Sequence, residues 1–425
     1  MNALRGPLSR NLAARVLDLA SLTVATVFVA HLAGATGIGW YVLLRVLPSL
    51  CAVLMACGLP SAMPYFLACE KQYGPQLRST LLWLLTGGAL LAALAWLALI
   101  PVVGPVFFVG VPQRVLLLAG VAAATQLAVA AARGWIQGRG DARAGDVMVG
   151  LEELCFLPAF AVLALVPIDV PTRIVGALVL ADLVVAGPAW WHLRRTGALR
   201  GAGCRPSGRL ARQVVSFGLR GQASSLLTLL NLRLDVALLG ALAGPAVLGV
   251  YAVASKYAEV LRLPGLAVNF VLYPAFRREG PEPSAPRVRR LAGRLLLTSA
   301  GLALALIGLA PVLLPAVFGR ELAAATWPAI VLTLGLVVDA AAAVVLAWLY
   351  AAGRPGLCSL GAASGLIVTV VLDLLLIPRY GAIGAAVASG LAYGVAATVL
   401  WWCFRRVCGG ASTHRPLPAL AGTRS

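Results

Sequence analysis

Twelve apolar runs, each about as long as the hydrocarbon core of a bilayer is thick, take up most of this chain. They lie near residues 11 to 33, 39 to 68, 79 to 103, 114 to 133, 147 to 167, 173 to 193, 213 to 240, 247 to 273, 291 to 318, 326 to 351, 356 to 377 and 382 to 404. In lipid the backbone must satisfy its own hydrogen bonds, so such runs cross as helices. The predicted fold class is an all-α polytopic membrane protein with about twelve transmembrane helices. Since 61% of the 425 residues are hydrophobic and 12% charged, too little polar surface is left to cover a water-soluble domain.

The net charge of +19 would fit nucleic-acid binding if the cations were clustered on one soluble face. They are sorted by topology instead. Of 34 Lys and Arg, 25 fall in segments on the side of the N-terminus, while Arg114, Arg173, Arg320 and Arg379 fall on the other side. This positive-inside bias predicts a multi-pass protein of the cytoplasmic membrane with both termini in the cytoplasm and no nucleic-acid partner. The basic loops 194 to 212 and 277 to 294 are expected to touch anionic headgroups, which makes membrane lipids a partner. The first run lacks a small-residue cleavage site and is expected to remain as a helix. Eight cysteines without a C-x-x-C pair read as free thiols, and three scattered histidines give no metal site. No G-x-x-x-x-G-K-[ST] motif occurs, so no P-loop nucleotide and no other cofactor is expected.

The two halves align at an offset of 210 residues. AGATGIGWY at 33 to 41 matches AGPAVLGVY at 243 to 251, Pro64 and Phe66 match Pro274 and Phe276, and PVVGPVFF from Pro101 matches PVLLPAVF from Pro311. Gly138 and Arg139 match Gly353 and Arg354 at 215. Six spans per copy keep the same orientation, which predicts two six-helix lobes related by a pseudo-two-fold along the membrane normal, with the substrate cleft between them. The lobes are residues 1–200 and 201–408; residues 409–425, rich in Gly, Pro and Ser, read as a disordered cytoplasmic tail.

Candidate site residues are the charges inside apolar sequence. Residues 231 to 276 hold Arg233, Asp235, Lys256, Glu259 and Arg262. Three cations in such a setting cost on the order of 10 kcal/mol before compensation, so a wet or paired environment must hold them. Arg220, Ser224, Thr228, Asn231 and Asp235 share one helical face, echoed more briefly by Asn11, Arg15 and Asp18 in the first helix. Arg45 and Lys256, nearly equivalent in the repeat, are expected to form with Arg233 a cationic cluster in the outer cleft, and Arg15 with Arg220 a second one further in. Two roles stay open for these cations: binding an anion, for which guanidinium forks suit phosphate, or locking helices by pairing with acids. Arg262 is expected to pair with Glu259, three residues before it. Asp339, Asp235, Asp18 and Glu259 are the candidates for ion coupling, because a buried acid can load and release a proton as its surroundings change.

The segments NLRLDVALLG, GVYAVASKYAEVLRLPG and VLYPAF, with GIGWYVLLRVLPSL and GLPSAMPYF in the first half, resemble the polysaccharide-transport (Wzx-like) branch of the MOP flippase superfamily. That resemblance implies a MATE/MOP-like fold and a flippase, not an enzyme. Its substrate would be undecaprenyl-diphosphate-linked oligosaccharide, moved between leaflets by alternating access for O-antigen, capsule or exopolysaccharide assembly. The implied partners are that lipid-linked oligosaccharide and, in the assembly machinery, a polysaccharide polymerase and glycosyltransferases. Two related readings compete. A MATE-type cation-coupled drug antiporter predicts a cleft dominated by acids, and a lipid II flippase predicts two further helices and more arginines in the first helix.

Overall fold

The computed structural model describes residues 2–410 except 69–72, 74, 201–202, 266–271, 273–275 and 277–280, and the tail from 411 lies outside it. Among the helical residues, the side chains of a further set including 2–16, 18–19, 220–229 and 231–232 also lie outside the described ones. The order of elements is α1 (Asn2–Met55), α2 (Leu59–Ala68), α3 (Gln76–Phe107), α4 (Gln113–Gly138), α5 (Ala142–Ala164) and α6 (Val170–Arg195). It continues with α7 (Gly208–Glu259), a 3-10 turn (Val260–Arg262), α8 (Pro281–Phe318), a second 3-10 turn (Arg320–Ala325), α9 (Thr326–Ala351) and α10 (Pro355–Gly410). No strand occurs among the described residues.

Eight of these helical stretches are long and apolar enough to cross a membrane. Their outer surfaces are apolar: Leu90, Leu91, Leu94 and Leu97 of α3 are exposed, as are Leu297, Leu304 and Val312 of α8. So extended an apolar surface has lipid as its solvent. The chain is a multi-pass membrane protein.

Three helices are too long to be single spans. At 54, 52 and 56 residues, α1, α7 and α10 would each stretch about 80 Å if straight, against about 30 Å of hydrocarbon. Each breaks at a glycine of positive φ: Gly34 (φ 61, ψ −164), Gly244 (φ 82, ψ 174) and Gly381 (φ 55, ψ −128). Those are regions of backbone space that a side chain makes costly, and the chain folds back on itself at all three. Tyr251 hydrogen-bonds Asp235 at 2.6 Å, although sixteen positions along a straight helix would separate them by about 24 Å. Likewise a Cβ on Gly384 would stand 2.5 Å from the carbonyl oxygen of Leu376. The reversals gather on one face of the bundle, where Gly34 lies near Glu321 and Gly381 near Val247. We call this the tip face, and the face bearing the chain ends the terminal face.

Gly34 and Gly244 are 210 positions apart, the repeat offset, and their hairpins grip each other reciprocally. A Cβ on Gly39 would fall 1.9 Å from the Pro245 carbonyl oxygen, and one on Gly249 would fall 1.9 Å from the Ala35 carbonyl oxygen. Each contact is the other's image in the 210-residue register, the arrangement an isologous two-fold interface requires. From there the second leg of α1 runs along the first leg of α7, past Leu43 against Gly240, to Gly58 against Gly218 at the terminal face. This seam carries the main hydrophobic core, with Leu43, Leu44, Leu239, Leu248 and Tyr251 buried along it. Each half adds a satellite core near the terminal face, around Trp135 and Leu193 in one and around Trp348 and Phe404 in the other.

A second repeat mark emerges there that the 210-residue register does not bring out: W-W-x-x-R-R stands at 190–195 and again at 401–406. In both copies the last arginine lies over the second tryptophan, Arg195 at 3.8 Å from Trp191 and Arg406 at 4.1 Å from Trp402. An aromatic body with a cation at its tip is what a membrane boundary selects.

Candidate functional site

Beside the seam, the legs of α7 converge with α9 and α10 on a group of buried polar side chains. Asp235, 8% exposed, takes a hydrogen bond from the Tyr251 hydroxyl at 2.6 Å and one from the Val236 amide at 2.8 Å. Ser389 of α10 lies 3.1 Å from the same hydroxyl. Asp373, also on α10, is fully buried, neither of its carboxylate oxygens has a hydrogen-bond donor among the described residues, and it lies within electrostatic reach of Asp235. A cavity of about 30 Å³ adjoins Asp235, lined also by Ser255, Glu259, Arg262 and Tyr393 among others, with room for about one or two waters.

The cations divide into three settings. Lys256 donates to Glu259 at 2.6 Å, one helical turn away. Arg262 instead reaches across to Asp339 of α9, Nε to Oδ2 3.6 Å, with its guanidinium 5.0 Å from the centre of the Tyr393 ring. The expected Glu259–Arg262 pair is therefore corrected. Both partners sit on one helical turn as the spacing requires, but Lys256 takes Glu259 from the other side, and the 3-10 turn at Val260–Arg262 swings Arg262 toward α9. Asp339, without a charged neighbour in sequence, thus has one in space.

Arg45 and Arg233 form the third setting. Arg45 donates to the Tyr41 hydroxyl at 2.8 Å, and its charge acts on Arg233 across the seam, where Glu259, Asp235 and Tyr41 also contribute to the field. Of the expected outer cluster, Arg45 and Arg233 lie within electrostatic reach of each other, and Lys256 pairs with Glu259, whose charge also acts on Arg233. On its other side Arg45 also feels Asp182 of α6, which accepts a 2.6 Å hydrogen bond from Thr125 and lies within electrostatic reach of Glu152. The side chains of Arg15, Asp18, Arg220 and Asn231, the members expected further in, lie outside the described residues. Among the described residues no group of three or more His, Cys, Asp or Glu is arranged to hold a metal ion.

Sequence reading left Tyr251, Tyr393, Ser389 and Tyr41 out of the site. The register held one clue, since Tyr41 and Tyr251 are equivalent in the repeat. Nothing local marks Ser389, which becomes polar furniture of the site only when α10 packs on α7.

Such an all-helical membrane bundle, with halves gripping along a seam and charges buried beside it, has the fold of MOP-superfamily transporters. A lipid II flippase, MurJ, in an inward closed conformation, superposes with a TM-score of 0.77 at 11% identity over 94% of this chain and 90% of that one. A multidrug resistance MATE transporter in an inward-facing conformation gives 0.76 at 14% identity, covering 94% and 96%. The Vibrio cholerae MATE transporter VcmN, in its bent form, gives 0.59 at 15% identity, covering 96% and 99%. Among curated proteins none matches in sequence. The profile of the polysaccharide biosynthesis protein family matches residues 17–278, more than half of the chain, and the chain belongs to that family.

Proposed function

We propose that this protein is a flippase, without enzymatic activity, that carries polyprenyl-diphosphate-linked oligosaccharide across the cytoplasmic membrane for surface-polysaccharide assembly. On this reading the terminal face is cytoplasmic, twelve spans form two lobes, and rocking of the lobes about the seam opens one face at a time. The observation that carries the proposal is that Arg45 and Arg233, one from each half, lie within electrostatic reach of each other at the seam. A bound anion would add to the compensation that Glu259 and Asp235 already give Arg233, and a diphosphate presents the oxygens that two guanidinium forks bind. Membership of a polysaccharide biosynthesis family supports the same substrate class.

The remaining residues take roles around that pair. Lys256 adds positive field near the headgroup path, Asn231 with Arg15 and Arg220 line its inner part, and the Asp235–Asp373 pair binds a coupling proton or cation whose affinity changes as the lobes move. Asp339 and Glu259 hold Arg262 and Lys256 in place, and Asp18 serves the inner stripe. Moving about two negative charges outward through roughly 100 mV, inside negative, releases about 4 to 5 kcal/mol, so the membrane potential helps the forward step.

The test is translocation of a fluorescent polyprenyl-diphosphate oligosaccharide in proteoliposomes with an imposed potential. Wild type is expected to move the lipid, and Arg45→Ala or Arg233→Ala to slow it by about tenfold or more at matched protein levels, as loss of a charge-assisted contact predicts. A wild type that leaves the glycolipid in place but extrudes a cationic dye against a proton gradient makes the protein a drug antiporter. One that moves only lipid II makes it a lipid II flippase.

A further inference from the structure

At the terminal-face end of the seam, apart from the buried charges, lies an apolar cavity of about 190 Å³. It is larger than the roughly 150 Å³ apolar cavity that stays dry and takes up a benzene, so its natural occupant is hydrocarbon. Three elements form the walls: the break between α1 and α2 at Cys57, the α3 stretch from Trp83 through Gly87 and Gly88 to Leu91, and Val215 of α7. Cys57 has φ 48, the one non-glycine residue of positive φ among those described, and it lies in the short turn between the end of α1 and the start of α2. Gly87 leaves open space where a side chain would stand. Trp83 and Leu91 are 61% and 55% exposed, so the notch opens sideways to the bilayer.

Two features separate this notch from an ordinary lipid-facing dimple. The residue after Cys57 is Gly58, which packs backbone to backbone on Gly218 of α7, so the notch borders the place where the halves part when the terminal face opens. One to two turns before Val215 on α7, the exposed Arg209 and Arg212 mark the headgroup level. An apolar slot ending at guanidinium groups matches an amphiphile with a hydrocarbon tail and an anionic phosphate head. Of such lipids, a branched isoprenoid fills a wide notch with fewer gaps than a straight acyl chain does.

We propose that this notch is a loading site for the isoprenoid tail of a polyprenyl-phosphate lipid, which it holds at the terminal-face leaflet before the seam opens to its headgroup. The inference rests on the flippase reading and names the part of the substrate that waits outside the cleft.

The test uses the full chain in nanodiscs of phosphatidylglycerol and phosphatidylcholine, with a polyprenyl monophosphate that carries a photoreactive diazirine in its terminal isoprene units. Crosslinks are expected on peptides containing Trp83, Leu91 and Val215, displaced by unlabelled polyprenyl phosphate and not by equal phosphatidylglycerol. Gly87→Phe fills the notch from open space and is expected to lower crosslinking by about tenfold with an unchanged thermal transition, whereas Leu304→Ala, on the exposed apolar surface of α8, leaves it intact. Crosslinking retained in Gly87→Phe, or displaced equally by phosphatidylglycerol, overturns the tail site and leaves the flippase reading standing. Crosslinking lost in Gly87→Phe, from a protein that moves no lipid-linked oligosaccharide, supports the tail site and overturns the flippase reading.

Discussion

Tyr41 and Tyr251 occupy the same place in the two copies of the repeat, yet their hydroxyls face opposite charges. Tyr41 accepts from the Arg45 guanidinium, while Tyr251 donates to the Asp235 carboxylate. The surrounding positions diverge in the same way: Asp235 corresponds to Ala25, and Arg45 to Ser255. Close by, Gly39 and Gly249 make mirror-image contacts that the repeat has kept. Duplication preserved the backbone grip and released the chemistry. The first half thus holds Arg45 where the second has Ser255, and the second half holds Asp235 where the first has Ala25.

The strongest way to break this comparison is at the grip itself. Gly39→Leu and Gly249→Leu each place side-chain atoms where a carbonyl oxygen already stands, and each is expected to cost at least about 3 kcal/mol. Thermal unfolding in detergent should show two similar losses. A leucine tolerated at one position and not at its mate would remove the two-fold relation.

The two tyrosines sharpen it. Tyr251→Phe leaves one oxygen of a buried carboxylate without its hydroxyl donor and should cost about 1–3 kcal/mol. Tyr41→Phe removes an acceptor from a half-buried guanidinium and should cost about 0.5–1.5 kcal/mol. Equal shifts in the melting transition would mean that the hydroxyls do not differ in role.

A smaller effect is expected at the tip face, where Asp169 corresponds in the repeat to Arg379. Asp169 caps α6 through Thr172 and pairs with Arg114 at 2.6 Å. Burial pulls its carboxyl upward, but the Thr172 hydroxyl and amide and the Arg114 guanidinium outweigh that and hold it below the usual carboxylate range. The unfolded chain then binds this proton more readily than the folded one. Its stabilisation is present above the unfolded value near about 3.9 and is lost as pH falls through the lower folded value. Asp169→Asn should lower the melting transition slightly at neutral pH, flatten the acid side of the profile below about pH 4, and converge with wild type at the acid extreme. A profile that keeps its acid slope in the variant assigns that slope to other carboxylates.

Much of this protein was written in local sequence. Apolar runs of membrane length required helices, because lipid offers the backbone no other partner. The matched AGATGIGWY and AGPAVLGVY segments marked the hairpin glycines, since only glycine turns a helix back so tightly. Isolated charges in apolar sequence pointed to Arg45, Arg233 and Asp235, because such residues are too costly to keep without a partner. Which partner each one has was decided in three dimensions. Helical spacing offered Glu259 two cations of nearly equal reach, and only the 3-10 turn after it, with α9 packed alongside, gave Lys256 to Glu259 and Arg262 to Asp339. Ser389 and Asp373 joined Asp235 because α10 folds back at Gly381 and lies against α7, a contact between residues more than 130 positions apart. Periodicity and cost are local and readable from the chain; the pairing of charges depends on which helices touch, and that was set by packing.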